Sequence, residues 1–99
     1  MIVYNVTVKI EKDIHDDWLA WMKETHIPEV LKTNLFEDNK MMKVLVDEDD
    51  GFTYSIQYRV SSWEKLDDYQ KNHAPALQQS HNKKYEGKFV AFRTLLEEV

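Results

Sequence analysis

Apolar and polar residues alternate from the second position: Ile2, Tyr4, Val6, Val8 and Ile10 share one parity, and Asn5, Thr7 and Lys9 take the other. A period of two marks a strand covered on one face, which predicts a first strand over these residues. The period then lengthens. Ile14, Trp18, Trp21, Met22 and Thr25 recur at helical spacing behind Asp13, a residue suited to capping, with Asp16 and Asp17 favourably placed in the first turn. Pro28 donates no backbone hydrogen bond and disfavours the α region at Ile27. The first helix is therefore expected to break or kink near His26 and to restart through Glu29 to Lys32.

Asn34 to Asn39 read as a loop, after which Met42, Val44 and Val46 alternate with Met41, Lys43 and Leu45. The acidic turn Asp47-Glu48-Asp49-Asp50-Gly51 joins this segment to Phe52–Val60, where Phe52, Tyr54, Ile56, Tyr58 and Val60 oppose Thr53, Ser55, Gln57 and Arg59. The pattern predicts a hairpin with a D-G turn. Ser61 and Glu64 form an S-x-x-E capping box, and Trp63, Leu66, Tyr69, Gln70, His73 and Leu77 follow at helical spacing. Pro75 interrupts this second helix, His81 and Tyr85 continue its face, Gly87 is suited to end it, and Phe89 to Leu96 form the last strand. The order βαββαβ predicts an α+β, ferredoxin-like fold, a four-stranded antiparallel sheet with two helices on one face. A short repeat, H-x-P-x followed by an apolar residue, occurs at His26–Val30 and again at His73–Leu77. Pseudo-twofold symmetry would put the two segments at related places over the sheet; chance similarity is the other reading.

Composition narrows the classes. The chain has 99 residues, 42% hydrophobic and 31% charged, with 12% aromatic, which suits one folded domain over residues 1–99 and excludes disorder as the main state. A core of this size is marginal alone, so dimerisation would help it. The net charge of −5 and the lack of a basic run exclude nucleic acid as a ligand. No secretory signal or apolar membrane span is present and cysteine is absent, so a cytoplasmic protein without membrane association is expected. Glycines only at positions 51 and 87 exclude phosphate-binding loops, dinucleotide fingerprints and nucleophile elbows.

The stretch from Ser61 to Leu96 carries a resemblance. Trp63 opens helix two, His73-Ala74-Pro75 lies inside it, Tyr85-Glu86-Gly87 ends it, and Phe89-Val90-Ala91-Phe92-Arg93-Thr94 forms the last strand. These residues resemble the dimeric α/β-barrel superfamily, which includes antibiotic-biosynthesis monooxygenases, haem-degrading monooxygenases, muconolactone isomerases and stress-responsive barrel proteins. Tyr4–Val8, Trp18-x-x-Trp21 and His26–Val30 are similar, more narrowly, to a group of short bacterial proteins of unknown function within it. The resemblance implies a homodimer joined through the open sheet face, with a small-molecule pocket between sheet and helices. It does not choose one chemistry, because the scaffold hosts unrelated activities.

The residues allow three functional readings. In the first, the protein binds a small apolar ligand as a monooxygenase-like enzyme without a cofactor, with His26, Trp18, Trp21, Tyr58 and Tyr69 lining the pocket and Asn5, His26 or His73 polarising it. In the second, Asn5, Trp63 and His73 match in type and order the site of the haem-degrading monooxygenases. That resemblance implies His73 as the axial iron ligand, Asn5 near bound oxygen and Trp63 against the porphyrin, with haem as cofactor. The strand parity of Asn5, opposite to Tyr4 and Val6, weighs against it. In the third, the same side chains only pack in a non-catalytic binding or structural dimer. Whether the chain is an enzyme stays open at this point. No metal site is expected from His26-x-x-Glu29 or from His73 and His81, since convergent third and fourth ligands are missing, and His15 reads as a surface residue.

Overall fold

The computed structural model describes residues 1–47 and 50–99. Strand β1 (Ile2–Glu11) leads through a 3-10 turn (Lys12–Ile14) into helix α1 (His15–Trp21), a π-helical turn (Met22–His26) and helix α2 (Ile27–Leu31). Strands β2 (Asp38–Lys43) and β3 (Gly51–Val60) follow, then helices α3 (Trp63–Asn72) and α4 (Ala74–Lys84), and strand β4 (Phe89–Glu97). The four strands are antiparallel in the order β2-β3-β1-β4, so the α+β ferredoxin-like architecture expected from the sequence is present. Among the described residues no helix is long and apolar enough to cross a membrane.

Register explains which side chains meet the helices. Tyr4 pairs with Tyr58, Val6 with Ile56, Val8 with Tyr54 and Ile10 with Phe52, so one parity of both central strands forms a continuous apolar face. Trp18, Met22, Ile27, Val30, Leu66 and Tyr69 cover that face, and Ile10, Trp18 and Val60 are wholly enclosed. At the start of β3, a Cβ on Gly51 would stand 2.5 Å from the Ile10 carbonyl oxygen, so only glycine fits between the strands there.

Several local expectations differ. Strand β2 begins at Asp38, inside the segment read as a loop, and ends at Lys43, because the pairing Asn39↔Tyr58 and Met41↔Ile56 gives β3 a partner along its apolar half. Leu45 and Val46, read as strand, project beyond it and are exposed. The expected acidic turn includes Glu48 and Asp49, which lie outside the described residues. Ser62, not Ser61, caps α3, accepting a hydrogen bond from the Lys65 amide at 3.2 Å, so Glu64 forms no capping box with it. Asp13 caps no helix; its carboxylate instead accepts from Lys88 Nζ at 3.1 Å.

Proline reshapes both helical segments, in two different ways. Around Pro28 the helix does not break: the Ile27 amide reaches back to the Met22 carbonyl, and the wider π turn absorbs the missing donor. Around Pro75 the chain does break, with α3 ending at Asn72, His73 at φ −125°, ψ −45°, and α4 starting at Ala74.

Candidate functional site: a cavity between sheet and helices

A cavity of about 390 Å³ opens between the sheet and the helical layer. Its floor is Tyr4, Val6 and Val8 of β1, Ile56 and Tyr58 of β3, and Ala91 and Arg93 of β4. Its roof is Met22, His26 and Val30 from the first helical segment, and Tyr69, Leu77, Gln78, His81 and Asn82 from the second. Val, Ile, Leu and Met side chains share the walls with aromatic rings and with the polar groups of His26, Gln78, His81, Asn82 and Arg93, a mixture that suits an amphipathic small molecule.

The π turn matters here because one extra residue in a turn rotates the rest of the helix, and His26 is the last residue of that turn. Its ring stacks on Trp21 with centroids 5.1 Å apart and stands 5.9 Å from the ring of His81. Burial, then His81 and Arg93, push its pKa down to about 4, so it is neutral at pH 7. His26 Nδ1 is buried without a hydrogen-bond partner. An orphaned N–H is rarer and costlier than an orphaned lone pair, which favours the tautomer with the proton on Nε2.

His81 is neutral for a related reason. Burial pushes it down to about 4, Asn82 pulls it back up and Arg93 lowers it. Geometry agrees: Trp18 Nε1 donates to His81 Nε2 at 2.9 Å, so Nε2 must carry a lone pair. Protonating it would set two donors against each other. The indole of Trp18, itself buried to the last atom, thus fixes the tautomer of a cavity residue.

At the other end, Tyr4, Phe36, Tyr58 and Tyr69 form an aromatic cluster, with Tyr69 edge-on to Phe36 at 4.8 Å and to Tyr4 at 5.7 Å. Burial pushes the Tyr58 and Tyr69 hydroxyls well above the ordinary phenol range, and both stay protonated. Arg93 Nε donates to the Tyr4 hydroxyl at 3.0 Å, which leaves the hydroxyl proton of Tyr4 available.

The residues singled out in the sequence are distributed unevenly around this space. His26, Tyr58 and Tyr69 line the cavity. Trp18 and Trp21 stand behind it, Trp18 holding His81 and Trp21 packed against His26 and Tyr85. Asn5, Trp63 and His73 do not converge. Asn5 Nδ2 donates to Thr7 Oγ1 at 3.1 Å and Oδ1 accepts from Ser55 Oγ at 2.6 Å, all on the sheet face away from the helices. Trp63 is 62% exposed at the start of α3. His73 stacks on Tyr69 where α3 meets α4. A haem held by these three side chains finds no common space, so this donor set does not fit that group. His15, read as a surface group, is instead half-buried: its ring lies 4.4 Å from Phe52 and its Nε2 is 2.6 Å from the Tyr54 hydroxyl. Among the described residues no three His, Asp or Glu converge as metal ligands.

Arg93 and His81 are among the cavity residues that the sequence reading did not place in the pocket. Arg93 was legible in principle, as a charge in the middle of the helix-facing parity Phe89, Ala91, Arg93, Leu95 of the last strand. His81 shares a helical face with Leu77, four residues before it, and its pairing with Trp18 bridges 63 positions, which no local pattern reveals.

With the geometry in place, comparison with known proteins locates the chain. The model of the family described as a domain of unknown function, DUF4286, matches residues 1–99. The chain belongs to the DUF4286 family. No curated protein matches this DUF4286 chain. Among solved structures, an EthD-family protein of Bacillus halodurans is similar at 16% identity and TM-score 0.70, with all of both chains covered. A dimeric ferredoxin-like protein from an uncultured marine organism is similar at 10% identity and TM-score 0.69, covering 100% of this chain and 95% of that one. SnoaB, a cofactor-independent oxygenase of Streptomyces nogalater, is similar at 9% identity and TM-score 0.65, covering 98% and 92%. At these identities the likeness carries the fold alone, one shared with monooxygenases.

Proposed function

We propose that this DUF4286 protein is a small-molecule-binding homodimer whose ligand occupies the cavity between sheet and helices. The observation that carries the reading is the cavity itself: apolar walls around neutral His26, with Tyr58 and Tyr69 contributing aromatic surface. A neutral imidazole with its proton on Nε2 polarises a ligand oxygen without adding a second positive charge beside Arg93. This supports a monooxygenase-like role, in which a substrate oxygen is held and polarised, over haem chemistry through His73.

The open sheet face supports the dimer. Val90, Phe92, Leu96 and Met42 are exposed there, beside the Asn5–Thr7–Ser55 hydrogen bonds, and a partner's sheet would remove them from water. The reading in which these residues only pack is separated by one experiment: thermal-shift screening of aromatic ligands against the wild type and Ala91→Phe, whose ring fills the cavity floor. Stabilisation by a ligand that is lost in the variant supports the site. Shifts that survive Ala91→Phe would place binding elsewhere. Sedimentation of the wild type at micromolar concentration tests the dimer, and a monomer mass refutes it.

A further inference from the structure

The cavity is electrostatically one-sided. Among the described residues no Asp or Glu lines it, while Arg93 stands on its wall, and Arg93 forms no ion pair with a described carboxylate. Its Nε is committed to the Tyr4 hydroxyl, an oriented neutral acceptor, which fixes the guanidinium by hydrogen bonding without cancelling its charge. The same bond turns the proton of Tyr4 into a free donor. No carboxylate therefore edges a space in which Arg93 and Tyr4 set two donors side by side, and the rest of the lining is apolar and aromatic apart from His26, Gln78, His81 and Asn82.

From this arrangement we propose that the ligand of the cavity is an anionic aromatic, a planar apolar body bearing a carboxylate or comparable oxyanion, held by Arg93 and Tyr4. This rests on the cavity being the binding site and names the chemistry that the site selects. Arg93 is exposed to solvent at the edge of the cavity, so a neutral ligand gains nothing from its charge, while a cation meets it with repulsion. An oxyanion accepts from the guanidinium and the phenol together, the bonds that gain most from charge. The aromatic body then lies against Tyr58 and Tyr69, in a volume of about 390 Å³ that has room for two fused rings.

The test compares two probes of one shape, 2-naphthoate and 2-naphthylmethanol, by titration calorimetry against the wild type, Arg93→Gln and Ala91→Phe, each checked for folding by thermal denaturation. Should Ala91→Phe fail to fold, Leu77→Trp narrows the cavity from the helical side. The expected result is at least about tenfold tighter binding of naphthoate than of the alcohol by the wild type, the ratio that roughly 1.4 kcal/mol gives. Arg93→Gln should bring the two Kd values within about twofold, and the cavity-filling variant should lose both. Equal binding of both probes by the wild type, abolished by the cavity-filling variant, would overturn the anion selectivity while leaving the cavity as the site. Binding that survives the filled cavity, or none of either probe, would overturn the site and the selectivity with it.

Discussion

Two neutral histidines inside one small protein make its stability depend on acid in a calculable way. The ordinary histidine pKa is 6.5, which the unfolded chain keeps, and in the folded state His26 and His81 sit at about 4. Below pH 6.5 the unfolded state binds protons that the folded state refuses, so stability rises with pH and falls as pH drops from 6.5 toward 4. Each imidazole accounts for about 3 kcal/mol over that window, with a slope near 1.4 kcal/mol per pH unit in its middle. The pair contributes less than twice this if the second proton enters a partly opened site, since the two rings are 5.9 Å apart. Against a total stability of about 5 to 15 kcal/mol, such a loss is large.

The assay is urea denaturation followed by circular dichroism at fixed protein concentration, at intervals from pH 7.5 to 4.5. The exposed carboxylates whose pKa values are lowered, Asp50 beside Lys9 and Glu98 beside Arg59, lose their contribution below the ordinary carboxylate range, so their effect falls outside most of this window. His81→Gln is the discriminating variant: its side-chain oxygen still accepts from Trp18 Nε1 but does not titrate. It should flatten the profile by about 1.4 kcal/mol per pH unit, and His26→Gln, taken singly, should do about the same. A wild-type profile flat between pH 7 and 5, or a His81→Gln profile parallel to the wild type, would refute the account of two buried neutral imidazoles.

Other perturbations test other parts. Gly51→Ala pushes a methyl into the Ile10 carbonyl and should cost about 1 to 3 kcal/mol in thermal melts; an unchanged midpoint would contradict the close packing of β1 on β3. Asn5→Ala strands the Ser55 and Thr7 hydroxyls and should cost about 1 kcal/mol, yet leave naphthoate affinity within about twofold, because the side chain faces away from the cavity; a large affinity loss would bring Asn5 back into the site. Phe92→Lys puts a charge on the open face and should shift sedimentation toward monomer, whereas an unchanged dimer would remove β4 from the interface.

How much of this was legible depended on range. Strand parity in Ile2–Ile10 and Phe52–Val60 is a property of neighbours two apart, and it foretold the face that the helices cover. The start of β2 was hidden, because Asp38-Asn39-Lys40 is polar and becomes a strand through pairing with β3, a tertiary gain that outweighs local propensity. The capping residue shifted by one position for a similar reason: Ser61 and Ser62 are equally able to cap, and the end of β3 decides between them. In the site, His26, Tyr58 and Tyr69 were visible as inward-facing residues, whereas the partnership of Trp18 with His81 needed the whole fold.

The two H-x-P segments show where local reading ends and geometry begins. Both prolines remove a donor four residues downstream of a carbonyl, and the sequence assigns them one consequence. In the first segment the amide of Ile27 finds the carbonyl of Met22, five residues back, so the helix continues and His26 is carried over the sheet into the cavity. In the second, the chain takes a non-helical step at His73 and begins α4 anew, so His73 stays at the junction while His81, two turns on, takes the cavity position. The two helical segments thus each deliver a histidine to the same space from different sequence positions. A letter-for-letter equivalence of His26 and His73 would have paired the wrong residues, and it is the π turn that makes His26 and His81 neighbours.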